Sequence, residues 1–407
     1  MVNPIEPRVE HDRDRESVPT SSSGRMVVEF HTSIGLVDRT QWNALFPGTA
    51  EGYDMYRAFE AALPPDVSHG ALTVKDVDRL VVAAPVFGIA YRVDTPFQGR
   101  LRQATDWLFQ RVPRLLRFGV VGIGSPFSDN CNVGFAADLD TTGRRRRFSD
   151  FLVGLMAEAK RVRATILTVK SLGPEAVEFH DLLASAGYAR MTSVPVVMLP
   201  LPYASLDHYF ADLPRSTSAY LKRKLRGAEG IRIEYRDSTM GLDAKLNELY
   251  AATLAQSSVD YADFEKLHPD WFREVKDRLG ERAQLMLCWR GAELLSFQLV
   301  LVGEKRLILC KLGMKYPEAR EHNLYFVNFL KMIEYAIERG IPEIEMGATA
   351  YAAKLLFGGH LERRWIHFRC RNPILNRLAQ SCAPLFDYER SDPELKVLRA
   401  KRPISIK

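Results

Sequence analysis

The sequence predicts an α/β protein made of two related units, and three observations support that fold class. The chain has 407 residues, well beyond the roughly 150 residues of an ordinary domain. Segments with strand-like and helix-like patterns alternate through both halves. An offset of 178 residues places Phe151-Leu152 on Phe329-Leu330, and the strand at 164–169 on 342–347. Chance also produces matches this short, but the matching order of elements favours tandem duplication of one unit.

The first unit follows a polar stretch, residues 1–25, that mixes charge with Pro and Ser and is predicted to be a disordered tail. Alternating apolar residues predict strands, and apolar residues spaced by three or four predict helices. The segments in order are a strand at 26–30, helices at 40–45 and 54–62, a strand pair at 81–91 broken at Pro85, a helix at 148–161, a strand at 164–169, a helix at 179–186 closed by Gly187, and a strand at 193–199.

The second half repeats this order. Its segments are helices at 206–210 and 214–228, a strand at 231–235, helices at 242–255 and 270–279, a hairpin of 284–289 with 293–302, a strand at 306–312, a helix at 323–339 closed by Gly340, and a strand at 343–346. We therefore expect domains at 26–199 and 200–380, followed by a basic extension at 381–407. Residues 396–407 carry five basic and no acidic side chains and are expected to form a flexible surface arm.

The composition is that of a soluble globular protein, with 46% apolar and 26% charged residues. The net charge of +6 permits an anionic partner without requiring one. No apolar run approaches about 18 residues, so no membrane span is expected. The five scattered cysteines fit a reducing cytoplasm. The oligomeric state stays open.

Several catalytic motifs are absent from the sequence, among them G-x-x-x-x-G-K-[ST], G-x-S-x-G, H-E-x-x-H and G-x-G-x-x-G. Their absence disfavours P-loop NTPases, serine hydrolases, zinc proteases and Rossmann oxidoreductases. The nine histidines do not cluster at metal-ligand spacing, so we expect no catalytic metal. Trp42, Trp107 and Trp271 are expected in the core or in a cleft wall rather than in a base-stacking platform.

The segment from Gly347 to Gly359 is the strongest candidate for a site. It follows the last predicted strand, and ligands favour the carboxyl ends of strands in α/β proteins. Lys354 is placed to neutralise a phosphate or a developing oxyanion. Glu345, on the same strand face as Glu343, is placed to orient or deprotonate an amine. The residue types taken alone favour a plainer interpretation, in which Glu345 is a surface carboxylate and Lys354 its exposed partner.

Four stretches carry a family resemblance: the opening helix at 41–45, the basic helix leading into a strand at 218–234, the hairpin at 290–301, and the helix, strand and loop at 324–358. They resemble the signatures of the FemAB-like and CelD-like (peptidoglycan biosynthesis/recognition) branch of the GNAT acyltransferase superfamily. The resemblance implies tandem GNAT-like domains, with mixed sheets flanked by helices around a shared cleft. It also implies transfer of an acyl or aminoacyl group from an activated carrier to an amine, with no tightly bound cofactor.

The resemblance further implies site residues, most of them in the second domain. Tyr351 and Lys354 match the family's Y-x-x-K element and are taken with Glu345 as catalytic residues. Arg223 and Arg226 match basic helix positions near the anionic substrate. The acceptor that the resemblance implies is a small-molecule or peptide amine.

The sequence departs from the GNAT pattern before the long helix of the second half, where CoA-using members place a glycine-rich pyrophosphate loop. Residues 317–325 contain no glycine, and the first-half counterpart at 138–147 has Gly143 followed by four arginines. The donor is therefore left open between acyl-CoA, aminoacyl-tRNA and another carrier, so that tRNA is a candidate partner. Arg144 and Arg145 are expected either to bind a donor phosphate or to belong to a solvated arginine run. The alternative function is a non-catalytic module that binds a cell-wall, polysaccharide or carrier-bound intermediate.

Overall fold

The computed structural model describes residues 26–92, 106–107, 109–112, 117–256, 267–401 and 406–407, and the predicted tail at 1–25 lies outside the described residues. The strands are β1 Met26–His31, β2 Val67–Asp76, β3 Arg79–Arg92, β4 Arg117–Ile123, β5 Gly134–Phe135, β6 Ile166–Leu172, β7 Ala189–Thr192, β8 Val196–Pro200, β9 Arg232–Arg236, β10 Ala283–Arg290, β11 Glu293–Val302, β12 Leu307–Met314, β13 Glu343–Glu345, β14 His360–Glu362 and β15 Trp365–Cys370.

The helices are α1 Arg39–Leu45, α2 Tyr53–Ala61, α3 Thr141–Arg161, α4 His180–Ser185, α5 Leu206–Asp212, α6 Arg215–Arg226, α7 Asp243–Leu254, α8 Trp271–Leu279, α9 Glu318–Glu321, α10 Leu324–Glu338, α11 Tyr351–Leu355, α12 Pro373–Cys382, α13 Tyr388–Ser391 and α14 Pro393–Lys401. Within the described ranges, none of the helices combines the length and the hydropathy that crossing a bilayer requires.

Two sheets organise the fold, and each is built in the same way. The strand order is β1-β2-β3-β4-β6-β15-β7 in the first sheet, with β5 paired to β3, and β9-β10-β11-β12-β13-β8-β14 in the second. Each sheet starts with four antiparallel strands, β1–β4 or β9–β12. A long helix, α3 or α10, then leads to a strand that lies parallel to the fourth. This shared order confirms the α/β fold class with two related units and agrees with duplication.

The two halves of the chain exchange one strand each. Strand β8 follows β7 in the chain but lies between β13 and β14 in the second sheet. Strand β15 follows β14 but lies between β6 and β7 in the first sheet. The two crossing segments meet where the Ser193 N–H donates to the Arg364 carbonyl, 2.8 Å away. The halves are therefore interlocked, and the domain bounds 26–199 and 200–380 stay a prediction.

Capping side chains and glycines set several helix ends. Asp38 accepts a hydrogen bond of 2.8 Å from the first turn of α1, and Asp140 one of 2.7 Å from the first turn of α3. These contacts matter because N–H groups in a first helical turn have no partner within the helix. Gly187 and Gly340 follow α4 and α10 with φ of +81° and +65°, which confirms both predicted helix ends.

The hydrophobic core runs across the seam between the two units. Phe59 on α2 stacks on Trp271 on α8, with ring centroids 5.8 Å apart. Trp42 and Trp271 are fully buried, as predicted. Trp107 is 57% exposed, so its prediction as a core or cleft residue is wrong. The Arg111 guanidinium lies 3.8 Å from the centre of its ring, and this cation–π contact does not need a buried site.

The prediction of a strand pair at 81–91, broken at Pro85, is wrong. Strand β3 is a single strand that continues through Pro85. On one side Pro85 faces β2, and on the other side the partner changes from β5, at residues 82–83, to β4, from residue 86. The Pro85 carbonyl accepts the Gly124 N–H at 2.9 Å on that second side. The N–H that proline lacks therefore falls at the end of the β3–β4 ladder, so that proline removes no bond from the middle of a ladder.

The C-terminal residues pack on the second unit, so the prediction of a flexible arm at 396–407 is wrong for the described part. Leu395 on α14 is fully buried in the core of that unit. Within 396–407, Leu398 and Ile406 pack against the same core, and Ile406 forms a β-bridge to Leu361. The basic composition does not predict this packing. One buried leucine is enough to anchor a short helix, whatever the charge of its neighbours.

Candidate active site

The loop after β13 places Lys354, on α11, at the carboxyl end of that strand. Thr349 and Ala350 in this loop have φ of +61° and +48°, a conformation that costs a non-glycine residue about 1 kcal/mol or more. The Lys354 Nζ donates to the carbonyls of Gly347 and Ala348, at 3.1 and 2.6 Å. These bonds hold the loop in its strained conformation and fix the amine beside it.

Lys354 is 5% exposed, which is rare for a lysine. Burial lowers the pKa of Lys354 to about 7, and the carboxylates of Asp129, Glu394 and Glu345 act in the opposite direction. Near neutral pH the amine is therefore present in both its neutral and its protonated form. Such a lysine can donate a hydrogen bond to a developing oxyanion and can exchange a proton with a substrate.

Glu345 is 1% exposed, so the interpretation of Glu345 and Lys354 as a surface pair is wrong for both residues. The Asn130 Nδ2 lies 3.1 Å from each Glu345 carboxylate oxygen. Arg306 donates to both Glu345 and Glu343, at 3.3 and 2.9 Å, which confirms that the two glutamates share a strand face. Burial raises the pKa of Glu345 to about 7, although Arg364 and Arg306 oppose the shift. This carboxyl group also changes charge near neutral pH.

A buried polar cluster joins Glu345 to the first unit. The Asn130 Nδ2 also donates to Glu51 at 3.1 Å, and the Asn130 Oδ1 accepts from Arg364 at 3.1 Å. Arg364 is buried, donates to Glu362 at 2.5 Å and lies 4.0 Å from Glu345. Burial also raises the pKa of Glu51. Side chains from both units thus determine the environment of Glu345.

Tyr351 contacts the segment that crosses between the sheets. It is fully buried, and its hydroxyl donates to the Pro195 carbonyl at 3.3 Å. The first turn of α11 is held from the other side by Glu394, through the N–H of Ala352. Since α11 carries Lys354, these contacts position the amine. A direct catalytic role for Tyr351 stays a prediction.

The basic helix α6 lies beside the amino terminus of α10. The Lys224 Nζ donates to the Asn323 Oδ1 at 2.7 Å. Asn323 precedes α10 with φ of +54° and caps no N–H of its first turn with its side chain. Arg223 and Arg226 are exposed on α6. The Phe326 N–H of the first turn donates to the Asn323 carbonyl at 3.0 Å. The first-turn N–H groups before it, near cationic side chains, suit an anion, although no glycine-rich loop leads into this helix.

Arg144 and Arg145 contact the turn at Pro174–Phe179 rather than α6 or α11. Arg144 lies 3.3 Å from the Glu178 carboxylate and 4.8 Å from the centre of the Phe135 ring. Arg145 donates to the Glu178 carbonyl. These contacts fasten α3 to the turn, and the assignment of both arginines to a donor phosphate stays a prediction.

The residues that surround Glu345 were not predicted from the sequence: they are Asn130, Glu51, Arg306 and Arg364. Asn130 and Glu345 are 215 positions apart, so no local pattern relates them. One signal was available: the polar run at 128–132 follows the apolar strand β4, and strand ends of this kind favour ligands. Arg364 gives no such signal, because two neighbouring arginines in a sequence are typical of an exposed surface.

The two sheets have the same strand order, each with a long helix before its parallel strand, and form a tandem α/β fold of the GNAT type. Residues 215–355 match the family model of the acetyltransferase (GNAT) domain. That range includes α6, β13 and α11, and therefore Glu345, Tyr351 and Lys354. This match confirms the GNAT part of the predicted resemblance for residues 215–355.

Solved structures share this fold at low sequence identity. FemX superposes with a TM-score of 0.57 at 12% identity, over 84% of this chain and 98% of the FemX chain. The C-terminal domain of a putative lysylphosphatidylglycerol synthetase from Agrobacterium fabrum gives 0.50 at 13% identity, over 87% of this chain and 97% of that domain. Likeness at these identities concerns the fold.

Among curated proteins, the putative 8-amino-7-oxononanoate synthase 2 of Mycobacterium tuberculosis is 25% identical over 199 residues, which is 47% of this chain. The aligned region covers 26% of that protein, so the chain spans about a quarter of the length of the curated relatives that it matches.

Proposed function

We propose that this chain transfers an acyl or aminoacyl group from an activated carrier to an amine, forming an amide. The observation that carries the proposal is the buried amine of Lys354, held beside a strained loop with a pKa of about 7. Burying an amine and straining a loop both cost stability, and such costs concentrate at functional sites. The match to the GNAT domain covers the same residues.

In the proposed reaction, the nitrogen of the acceptor amine attacks the carbonyl carbon of the donor, and an electron pair moves to the carbonyl oxygen. Lys354 in its protonated form donates to that oxyanion. Glu345 in its ionised form takes the proton from the attacking nitrogen. Collapse of the intermediate breaks the bond to the carrier, and the proton passes to the departing sulfur or oxygen. Both pKa values lie at about 7, so both required forms are populated at neutral pH.

Substrates are proposed to approach Lys354 past the loop at 347–350, which is partly open to solvent. Asp129 is exposed there. A Cβ built on Gly347, whose φ is +73°, would lie 3.9 Å from the Asp129 Oδ2 and 3.9 Å from the Lys354 Nζ. A carboxylate so close to the catalytic amine suits the ammonium form of an acceptor.

The donor is proposed to place its phosphates at the amino terminus of α10, beside Arg223 and Arg226. Acyl-CoA and aminoacyl-tRNA both carry phosphates, and the position fits either of them. The acceptor is proposed to be a small-molecule or peptide amine. This chemistry needs no tightly bound cofactor, because the activated carrier is a co-substrate.

Calorimetric titration of the chain with acetyl-CoA and, separately, with aminoacyl-tRNA tests the proposal. We expect saturable binding of one donor, weakened by Arg223→Ala with Arg226→Ala, and amide formation on a panel of amines by mass spectrometry. Binding of a cell-wall or polysaccharide intermediate without turnover would favour the alternative, a non-catalytic module. Failure to bind either donor would contradict the proposal.

A further inference from the structure

Four strand ends meet at one edge of the first sheet. The antiparallel strands β3 and β4 end and begin there, with Arg92 opposite Arg117. Strand β6 begins there because it lies parallel to β4. Strand β15 ends there because it lies antiparallel to β6, with Cys370 opposite Ile166. Helix α12 follows β15 directly and so starts at the same edge.

Neighbouring segments are fastened to this edge by arginines. The ion pair of Arg92 with Asp106, 2.5 Å long, holds residues 106–107 and 109–112 against the end of β3. Arg371 donates to the carbonyls of Ala159 and Ala164, at 3.2 and 2.9 Å, and so ties the start of α12 to the end of α3. We call the residues 106–107, 109–112, 160–163 and 371–378 the basic edge.

Large apolar side chains are concentrated on the basic edge. The described ranges contain fourteen exposed large hydrophobic side chains, and six of them lie among the eighteen residues of this edge: Trp107, Val112, Val162, Ile374, Leu375 and Leu378. Exposed apolar side chains that are scattered singly need no explanation, whereas a cluster marks an interaction surface.

Helix α12 is oriented with its apolar face outward. Asn376 and Gln380 lie on its inner face, and both donate to the Gly187 carbonyl at 2.9 Å. On the opposite face Ile374 and Leu378, one turn apart, are 78% and 63% exposed. The apolar face of a helix usually packs against the core. In α12 that face is exposed instead, so it is available for a partner.

The charge of the edge is one-sided. The basic edge holds one carboxylate, Asp106, and six cationic side chains: Arg111, Lys160, Arg161, Arg163, Arg371 and Arg377. Arg163 and Arg377 on the edge are exposed. Asp106 on the edge, and Asp66 and Glu158 beside it, are each ion-paired with an arginine, at 2.5, 2.9 and 2.7 Å. The surface therefore combines exposed apolar side chains with an excess of cations.

We infer that the basic edge docks on the surface of an anionic lipid bilayer. Aliphatic side chains and a tryptophan enter the boundary between headgroups and acyl chains, and the arginines meet lipid phosphates. A lipid surface fits better than RNA, because isoleucine and leucine gain from apolar burial and gain nothing from a phosphate backbone. The chain would lie on the membrane through α12 without spanning it. The inference does not depend on the proposed transfer reaction.

Flotation of the full chain with vesicles tests the inference. We expect binding to vesicles of phosphatidylglycerol with phosphatidylcholine, weaker binding to phosphatidylcholine alone, and release by salt. Ile374→Gln with Leu378→Gln should lower the affinity about tenfold, because two side chains lose their apolar burial. The matched control is Leu36→Gln with Met240→Gln, which removes side chains that are 66% and 81% exposed elsewhere, and it should bind like the wild type.

A second variant, Arg163→Gln with Arg377→Gln, keeps the apolar side chains and should reduce both the affinity for anionic vesicles and its salt dependence. All substituted side chains are exposed, so far-UV circular dichroism and urea unfolding should match the wild type. The inference is overturned if the wild type does not bind anionic vesicles or if the variant at 374 and 378 binds them as well as the wild type. It is also overturned if tRNA displaces the vesicles. A dimer that forms through the apolar face and that Ile374→Gln with Leu378→Gln converts to monomer would overturn it as well.

Discussion

Replacing Lys354 by methionine should stabilise the protein at neutral pH while it removes the proposed catalytic amine. Methionine has a similar length and no charge to desolvate. The buried amine of the wild type is costly, because the folded state disfavours its protonated form. The substitution therefore separates the stability cost of the site from its chemistry, as expected where activity needs a destabilising group.

The magnitude follows from the pKa of Lys354, which falls from the ordinary value of 10.5 to about 7. At about 1.4 kcal/mol per pH unit, keeping this amine in the fold costs about 5 kcal/mol at pH 7. The substitution also removes the hydrogen bonds to the Gly347 and Ala348 carbonyls, and this loss offsets about 1–3 kcal/mol of the gain in stability. The net stabilisation by Lys354→Met is about 2–4 kcal/mol at pH 7.

The sign of the pH dependence is fixed by the same pKa. Between about pH 7 and 10.5 the unfolded chain holds a proton on this lysine and the folded chain does not, so wild-type stability rises with pH. The advantage of Lys354→Met should shrink by about 2 kcal/mol from about pH 7 to about pH 9. Urea unfolding at both pH values measures it. A variant that is less stable than the wild type at pH 7, or a gap that does not change with pH, would refute the reasoning.

Three further substitutions test other parts of the site. With Glu345 ionised and Lys354 protonated in the active form, the wild-type pH–rate profile should be bell-shaped around about pH 7. Glu345→Gln should slow transfer by about a hundredfold or more and remove the acid limb of that profile, and an acid limb that stays intact would speak against a base at this position. Arg364→Met leaves Glu345 and Glu362 without their buried cation and should lower the free energy of unfolding by about 3–5 kcal/mol, measured with urea; an unchanged value would show that the cluster does not need this charge. Arg223→Ala with Arg226→Ala should raise KM for the donor and weaken its salt dependence with stability changed by less than about 0.5 kcal/mol; an unchanged KM would remove both residues from the donor site.

Much of the fold was predictable, because periodicity and end signals agree along most of the chain. Strand β11 has the predicted bounds 293–302, and the helix ends at Gly187 and Gly340 are confirmed. Helix α3 begins at Thr141, before the predicted residue 148, since Asp140 caps a first turn that the arginine run disguised. The strand exchange was not predictable. An apolar pattern identifies β8 and β15 as strands but does not say which sheet each one joins.

The site was predictable only where it is local. Lys354 and Glu345 lie within ten residues at the end of one strand, and the prediction of both as site residues rests on that position. Their burial was not predictable from residue types, because it arises from groups far away in the sequence. Asn130 and Arg364, which bridge the two units, are 234 positions apart. The docking of α14 through Glu394 was hidden by the basic composition around it.

Single-turnover transfer by Lys354→Met, compared with Lys276→Met, tests the central claim most directly. Lys276 on α8 is likewise buried with a lowered pKa, and its Nζ donates to the carbonyls of Gly280 and Ala283 at 2.9 and 2.7 Å. It is the matched control, because it lies on another helix of the same unit. We predict that Lys354→Met loses transfer by about a hundredfold or more while it stays folded, and that Lys276→Met keeps the wild-type rate. Full transfer by Lys354→Met would contradict the account.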